Sequence, residues 1–515
     1  MSSAASASSP PAPRVPARNL KIKVQQKLCV LPAPASPAPA ITLTGQDLSM
    51  AKIYMHMHYI FSPSSSPYGL SELANDIENA LSLTLDEFPY IAGSIDRVDD
   101  KWILQDSRKG VELQIAQAEE EAGGLSPQEI GGSWDQDVGT RAPFVGEDEA
   151  LVAIRVTRYA CGTVSITTSV HHWLMDFASY FDFLSTFASR LTSPAAAATL
   201  QEQKPKRNFE RDVFSLLSSP GGEEADSAPA ATTTTEEDDA EVRSWFRASA
   251  APPCFKRPVN HTYVVPVLFT ASKLGELKAH LVQAASASGT TTPTFSTMDA
   301  LHALLWSSIT RSRDLAAPAS TKLLVTMDGR RRVANGELAA EYFGNVHPGF
   351  AFRLDVASQD LSSAESLAAT AQKLRSEYLA NIGPQTMERI IRYQQRNLDR
   401  VSTNIDAMFA NDVVISNLSG YEYGRVSFGR LGRPRAVTML GSRGVEYGPF
   451  KIDAADGTVT VLAVPEQQQK APDGEEREGS GAKRSDVIAY IGLRQEEMAR
   501  LLADKEIAKW GEVLY

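Results

Sequence analysis

The stretch LVAIRVTRYACGTVSITTSVHHWLMD, residues 151–176, decides the fold. Two strand patterns, 151–156 and 163–170, flank a short Cys-Gly turn, and the second alternates because successive side chains of a strand point to opposite faces. The residues that share one face of this second strand are Val164, Ile166, Thr168 and Val170. The polar segment HHWLMD follows, and a helical pattern comes after it. This order of strand, polar turn and helix places loop side chains at the end of a strand, where α/β proteins often carry out chemistry.

On the N-terminal side of this stretch, the pattern predicts two more strands, 21–31 and 53–61, and a helix over 71–88. Ser71 is predicted to cap that helix, and Pro89 to end it. On the C-terminal side, the apolar spacing predicts strands and helices in a second α/β region. Its predicted strands are 261–269, 321–328, 458–464 and 485–493, and its predicted helices are 272–285 and 296–313.

Composition divides the chain into four parts. Residues 1–19, rich in Ser, Ala and Pro, are expected to be a disordered tail, and residues 20–192 to form an N-terminal lobe. Residues 193–245 contain few large apolar side chains, so they are expected to be a low-complexity crossover linker. Residues 246–515 are expected to form a C-terminal lobe, interrupted at 468–484 by an exposed hairpin loop.

The composition also excludes several classes of protein. With 515 residues, 43% hydrophobic and a net charge of −11, the chain is globular and has no basic excess for nucleic acid. Its three cysteines are far apart and form no CxxC pair, which argues against a disulfide framework and a cysteine-ligated zinc site. The chain contains neither a long apolar run nor a signal-peptide pattern. We therefore expect a cytoplasmic monomer that contacts no membrane, with no metal and no tightly bound cofactor.

His172 and Asp176 form an HxxxD pair directly after the second strand. The pair alone carries little information, because about 0.5 such matches are expected by chance in a chain of this composition. A packed histidine beside a surface acid is the alternative interpretation. A neutral imidazole at a strand end can, however, take a proton from a hydroxyl or amine that attacks an activated carbonyl. The chain has no GxSxG motif for a serine acyl-enzyme, so this base favours direct transfer between two bound substrates.

The order of several blocks resembles the BAHD superfamily of acyl-CoA-dependent acyltransferases, especially its fungal branch typified by trichothecene O-acetyltransferases. The resemblance covers residues 20–515. Its blocks are LTGQDLSM, LSLTLDEFPYIAGSI, HHWLMD, TFSTMDALHALLW, TMDGRRRV, EYFGNVHPG, VVISNLSGYEYGRVSFGRLGRP and RQEEMARLL. The resemblance implies an α/β fold of two chloramphenicol-acetyltransferase-like lobes, each a mixed sheet with helices, and a channel at their interface.

The resemblance also implies roles for individual residues. His172 matches the family's catalytic base, and Asp176 matches a structural acid that points toward an arginine, here Arg330 or Arg332. Positions that match coenzyme A contacts are Ser296, Asp299, Ser416, Asn417 and Arg433. Positions that match a supporting motif near the C-terminus are Ser427, Phe428, Gly429 and Gly432. The remaining histidines are expected to be structural: His171 and His347 by packing, and His56 and His58 as a pair without a third metal ligand.

Two positions depart from the family pattern. Phe177 replaces the glycine after the aspartate, which would be strained if the position requires a positive φ. Ser427 replaces the aspartate of the C-terminal motif, which threatens stability or loop order more than turnover.

The predicted function is transfer of an acyl group, with acetyl favoured, from acyl-CoA to a hydroxyl, or less favourably an amine, of a small secondary-metabolite acceptor. One alternative is a stand-alone condensation-type enzyme that uses a carrier-protein donor, because paired histidines before xxxD also mark that family. The other is a non-catalytic scaffold or binding protein that keeps the fold, an alternative that rests on Phe177 and Ser427.

Overall fold

A computed structural model describes the chain in segments. They are residues 21–50, 52–63, 69–119, 149–192, 207–211, 242, 245–248, 262–289, 293–315, 320–333, 341–347, 351–355, 361–398, 401–403, 411–439, 445–447, 450–452, 456–465 and 485–514. The predicted tail 1–19, most of the predicted linker 193–245 and the predicted hairpin loop 468–484 lie outside these residues.

The first sheet has six strands in the order β1-β6-β7-β8-β3-β15. Their bounds are β1 Lys21–Val30, β3 Tyr54–Phe61, β6 Val111–Glu119, β7 Val152–Arg158, β8 Val164–His171 and β15 Ala436–Met439. The pair β6/β7 is parallel and the other pairs are antiparallel, so the sheet is mixed. The strands predicted around 21–31, 53–61, 151–156 and 163–170 are confirmed.

The second sheet has seven strands in the order β12-β11-β14-β18-β19-β10-β20. Their bounds are β10 Thr262–Phe269, β11 Ser320–Val325, β12 Ala351–Asp355, β14 Val413–Asn417, β18 Thr458–Ala463, β19 Val487–Arg494 and β20 Glu512–Val513. Its pairs β11/β14 and β14/β18 are parallel and the rest are antiparallel. Three small sheets pair the remaining strands: β2 Ile41–Thr42, β4 Ser94–Val98 and β5 Lys101–Gln105; β9 Phe246–Ala248 and β13 Val401–Thr403; β16 Val445–Tyr447 and β17 Phe450–Ile452.

Helices pack on both large sheets, which confirms the predicted α/β class of mixed sheets and helices. They are α1 Gly45–Leu48, α2 Leu70–Leu85, α3 Phe177–Thr192, α4 Ala271–Ala287, α5 Thr297–Ser312, α6 Ala364–Asn381, α7 Pro384–Arg396, α8 Gln495–Leu502 and α9 Lys505–Trp510. The cap predicted for α2 is wrong. The helix begins two residues earlier than Ser71 would require, with Gly69 at the N-cap and no side-chain cap, because Leu70 already has helical geometry. The cap predicted at Ser296 is confirmed.

One strand of the C-terminal region belongs to the first sheet, and a side-chain hydrogen bond also links the two large sheets. Strand β15, from the C-terminal region, pairs antiparallel with β3 and completes the edge of the first sheet. Tyr490 of the second sheet donates a hydrogen bond of 3.1 Å to the carbonyl of Val437 on β15. Among the described residues, no helix is both long enough and apolar enough to cross a membrane.

Candidate active site

His172 lies immediately after the end of β8, and its backbone is held on both sides. Its N–H donates a hydrogen bond of 2.9 Å to the carbonyl of Ile53, just before β3. Its carbonyl accepts a hydrogen bond of 3.0 Å from the side-chain amide of Asn345. The position of the His172 backbone is therefore fixed by the two flanking segments and not by the strand alone.

The environment of the His172 ring favours a neutral imidazole. Burial lowers its pKa, and the backbone of His172 itself, the Asp176 carboxylate, the Asn345 side chain and the Met175 backbone act in the opposite direction. Nδ1 is buried and makes no hydrogen bond. In a neutral imidazole one ring nitrogen donates and the other accepts, and Nε2, the nitrogen farther from the backbone, is the candidate acceptor.

Asp176 does not pair with His172; it pairs with Arg330. The guanidinium donates through Nη1 to Oδ2 at 2.8 Å and through Nη2 to Oδ1 at 2.9 Å, a two-point contact. Oδ1 also accepts from the Ser179 N–H, as an N-cap of α3 does, and Oδ2 accepts from the Val346 N–H. Burial raises the pKa of the Asp176 carboxyl, but the charge of Arg330 and these hydrogen bonds lower it by more. The net effect is a pKa below its usual value.

Of the two arginines predicted as partners of Asp176, the structure selects Arg330. It also donates to the Asp328 carboxylate, to the Ser179 hydroxyl and to the carbonyls of Tyr342 and Gly344. Its side chain therefore joins the start of α3 to the segment 342–346. Arg332 points elsewhere: it donates to the Asp328 carbonyl and to the Tyr378 hydroxyl. The prediction that Asp176 serves structure is therefore consistent with the positions of all its contacts.

A second buried ion pair supports His172 from the other side. Asn345 donates to Asp47 Oδ1 at 3.1 Å, and Asp47 Oδ2 accepts from Arg211 Nε at 3.3 Å. Asp47 also closes the capping box of α1, through the backbone N–H of Thr44. Arg211 donates further to the Phe343 carbonyl at 2.5 Å. Residue 211 lies inside the range predicted as a linker, so a short part of that range packs against the candidate site.

Phe177 is the first residue of α3 and does not have a positive φ. The strain expected from replacing the family glycine is therefore absent. Its ring packs edge-on against Tyr421, with 4.9 Å between centroids, and tilted against Tyr180 at 5.5 Å. Tyr421 and Phe181 line a cavity of about 440 Å³. Its other lining residues are Gly420, Glu422, Arg425 and Val426.

The Tyr421 hydroxyl lies near the acidic groups of the site. Burial raises its pKa first, and the charges of Asp176 and Asp328 raise it further. The cavity beside Tyr421 lies next to the start of α3, because the Phe177 ring packs on Tyr421 there.

The residues predicted to contact coenzyme A are distributed over several elements of the C-terminal region. Ser296 and Asp299 cap α5 through reciprocal hydrogen bonds, and Asp299 also pairs with Arg375 at 2.6 Å. Ser416 and Asn417 end β14, and Asn417 Oδ1 accepts from the Ser419 N–H and hydroxyl within the next turn. Arg433 is exposed. Their contact with coenzyme A stays a prediction.

The segment SFGRLGRP packs against the C-terminal end of α3. Phe428 is buried and contacts Tyr59 and Phe61 of β3, with ring centroids 5.5 and 5.2 Å away. The Ser427 carbonyl accepts a hydrogen bond of 3.0 Å from the Thr192 hydroxyl, and the Gly429 N–H donates to the same hydroxyl oxygen. Gly429 and Gly432 have φ of 57° and 72°, and they form the turn around Leu431. With Ser427 in place of the aspartate, the motif keeps its contact with α3.

Three further histidines lie on one face of the first sheet and make local hydrogen bonds. His56 and His58 contact the hydroxyls of Ser169 and Thr167 through Nδ1, at 2.8 and 2.7 Å. His171 Nδ1 accepts from the Trp173 N–H at 3.0 Å. Within the described segments, no three His, Cys, Asp or Glu side chains form a group that could hold a metal ion.

The blocks LTGQDLSM and EYFGNVHPG contain Asp47 and Asn345, two residues of the site for which the sequence predicts no role. Both are buried, and both contact the residues that surround His172. Arg211 gave no signal, because it lies alone in a region of low complexity.

The sequence of the chain matches a known protein family and a characterised relative. A family model described as "Transferase family" matches residues 20–468. "Acyltransferase uat1" of Mycosarcoma maydis is 31% identical over 509 residues, which cover 91% of this chain and 95% of that protein.

Solved structures show the same fold. The structure titled "F. sporotrichioides TRI101 complexed with Coenzyme A and T-2" aligns with TM-score 0.65 and 19% identity, covering 92% of this chain and 100% of that one. Vinorine synthase aligns with TM-score 0.63 and 13% identity, covering 95% and 98%.

Proposed function

The chain belongs to the Transferase family of BAHD acyl-CoA-dependent acyltransferases, and on that premise we propose that His172 is its general base. The proposed reaction transfers an acyl group, with acetyl favoured, from acyl-CoA to a hydroxyl of a small secondary-metabolite acceptor. One observation carries the proposal: the His172 backbone is held from two directions at the end of β8. Burial also lowers the pKa of the His172 ring, which favours the neutral imidazole that a base requires.

The proposed chemistry is a direct transfer. As the acceptor oxygen attacks the thioester carbonyl carbon, Nε2 of His172 takes the hydroxyl proton, and a tetrahedral oxyanion forms. The C–S bond then breaks, and the imidazolium returns the proton to the departing thiolate. The products are the ester and free coenzyme A. A positioned base of this kind contributes about 10²–10⁴ in rate.

The burial that lowers the pKa of His172 serves this role, because a base must be unprotonated when the acceptor arrives. Asp176 contributes by position. Since Arg330 already neutralises its charge, Asp176 does not relay the proton; it holds the start of α3 and the segment 342–346 around His172.

Acyl-CoA and the acceptor are the proposed partners, and neither metal nor nucleic acid enters the proposal. We expect the acceptor in the cavity beside Tyr421, because Tyr421 packs on Phe177 five residues after His172 and the lining offers aromatic rings together with charged groups. Acyl-CoA would then reach His172 from the side of the C-terminal region, through the channel that the resemblance implies. A cytoplasmic, monomeric enzyme remains the expectation.

The test is release of thiol from acetyl-CoA in the presence of a panel of hydroxylated small molecules. His172→Ala is expected to lower kcat by about 10²–10⁴. The matched control is His171→Asn, which keeps an acceptor for the Trp173 N–H and should retain the activity of the folded fraction. A loss below about tenfold in His172→Ala would exclude the base assignment.

The same assay separates the alternatives. Transfer from an acylated carrier protein but not from acetyl-CoA would show a condensation-type enzyme. Binding of coenzyme A with no turnover by any donor would show a non-catalytic protein that keeps the fold.

A further inference from the structure

His347 lies in the segment that supports both His172 and Asp176. Two residues earlier, Asn345 donates to the His172 carbonyl, and the Val346 N–H between them donates to Asp176. The His347 N–H donates a hydrogen bond of 2.9 Å to the side-chain carbonyl of Gln46. The backbone of His347 is therefore held by Gln46, in the same segment whose Asn345 holds the candidate base.

The ring of His347 is left without partners. Both Nδ1 and Nε2 are buried and make no hydrogen bond, which is true of no other histidine in the described part of the chain. His56 and His58 show the usual solution, in which Nδ1 contacts a neighbouring hydroxyl. A buried polar group without a partner costs free energy and calls for an explanation, such as a bound ligand or water.

His347 follows two residues after Asn345, whose side-chain amide holds the His172 carbonyl at 3.0 Å. Burial lowers the pKa of His347 to about 4, a positive charge on His172 lowers it further, and Asp176 and Asp328 act in the opposite direction. At neutral pH the ring is therefore uncharged and offers one N–H donor and one lone pair. Both are unmet, and both lie near the proposed base.

We propose that His347 binds a second hydroxyl of the acceptor, next to the hydroxyl that is acylated, and so selects acceptors with neighbouring hydroxyl groups. A hydroxyl both donates and accepts, so it can satisfy an imidazole that has one donor and one acceptor to offer. A site built to bind a hydroxyl rejects analogues that lack it, because its own polar groups are then buried without partners. The inference rests on the proposed function and adds a substrate class to it.

The experiment compares acceptor pairs that differ by one hydroxyl, with acetyl-CoA as donor. Suitable pairs are cyclohexane-1,2-diol with cyclohexanol, and catechol with phenol. The wild type is expected to favour the diol by at least about tenfold in kcat/KM. In His347→Phe, which keeps a ring but removes both polar atoms, this preference should fall to near one. His347→Gln, which keeps a donor and an acceptor, should restore most of it.

Each other outcome overturns the inference. Equal losses for the diol and the mono-ol would mean that His347 contacts the acyl group and not the acceptor. An unchanged kcat/KM for both the diol and the mono-ol in His347→Phe would mean that the ring binds only water. If His347→Phe does not fold, His347→Leu and His347→Gln give the same comparison. Failure of the proposed function looks different, because the wild type would then release no thiol with any of the acceptors.

Discussion

The side-chain amide of Asn345 donates a hydrogen bond of 3.0 Å to the backbone carbonyl of His172. Its own carbonyl oxygen is buried without a hydrogen-bond partner, and the Asn345 side chain raises the pKa of the His172 ring. Asn345 thus acts on the candidate base in two ways: through the backbone, whose position it fixes, and through the imidazole, whose protonated form it favours.

Asn345→Ala is expected to lower kcat by about 10–100-fold with a smaller change in KM, because a displaced base loses alignment with the reacting atoms. It should also move the acidic limb of the kcat/KM profile to lower pH, since a group that raises the pKa of His172 is lost. Steady-state kinetics between pH 5 and 9 measure both effects.

The matched control is Asn381→Ala, whose amide donates a similar bond to the Glu377 carbonyl at the end of α6, away from the site. It should change neither kcat nor the profile. If Asn345 had only a structural role, Asn345→Ala would lower the yield of folded protein, and the kcat/KM profile of the folded fraction would keep its pH dependence.

Arg330→Gln is expected to destabilise the protein by about 3–5 kcal/mol, because Asp176 is then left as a buried charge without its partner. Arg331→Gln, one residue later and exposed, should change the free energy of unfolding by less than about 0.5 kcal/mol. Urea unfolding followed by fluorescence compares the two. Similar midpoints for both variants would show that the ion pair contributes nothing to the stability of the folded state.

The apolar spacing predicted much of the framework. The strands that end at His171 and the helix that begins at Phe177 follow from side-chain periodicity, which depends on local geometry alone. The pairing of Asp176 with Arg330 crosses 154 residues of sequence. The family resemblance could offer only the choice between Arg330 and Arg332, because tertiary packing decides which guanidinium reaches the carboxylate.

Other features of the site left no pattern in the sequence. Asp47 looks like an ordinary helix-capping residue, and its contact with Arg211 exists only because a short piece of the low-complexity range folds back. Phe177 was expected to be strained on the assumption of a positive φ. In the structure it is the first residue of α3 and has a negative φ, a conformation that a residue with a side chain adopts without strain.

Gly429→Ala is expected to destabilise the protein more than Gly432→Ala. Both glycines have positive φ, so each substitution carries a conformational cost of about 1–3 kcal/mol. At Gly429, however, a Cβ would also lie 2.4 Å from the Leu191 carbonyl oxygen at the end of α3, while at Gly432 it would meet nothing within 4 Å.

Thermal unfolding of the two variants measures this difference in stability. Because the SFGRLGRP segment supports α3 and is not expected to take part in chemistry, the folded fraction of each variant should keep its kcat. A lower kcat in a fully folded variant would instead indicate that the SFGRLGRP segment takes part in the active site.

Acid is expected to destabilise the protein through the buried histidines of the first sheet. Burial lowers the pKa of His56 to about 4, and of His58 and His171 to about 3, from 6.5 in the unfolded chain. Below pH 6.5 the unfolded state therefore binds protons that the folded state excludes, so stability is full above that pH and falls as the pH drops toward 4. Each histidine contributes a slope of about 1.4 kcal/mol per pH unit in this range.

The double variant His56→Asn and His58→Asn, which keeps a polar atom near each former Nδ1, should reduce the slope by the contribution of about two protons. Urea unfolding at pH 8, 6 and 5 tests this, with the pH 8 value giving the cost of repacking alone; equal slopes for variant and wild type would show that these two histidines do not set the acid limit.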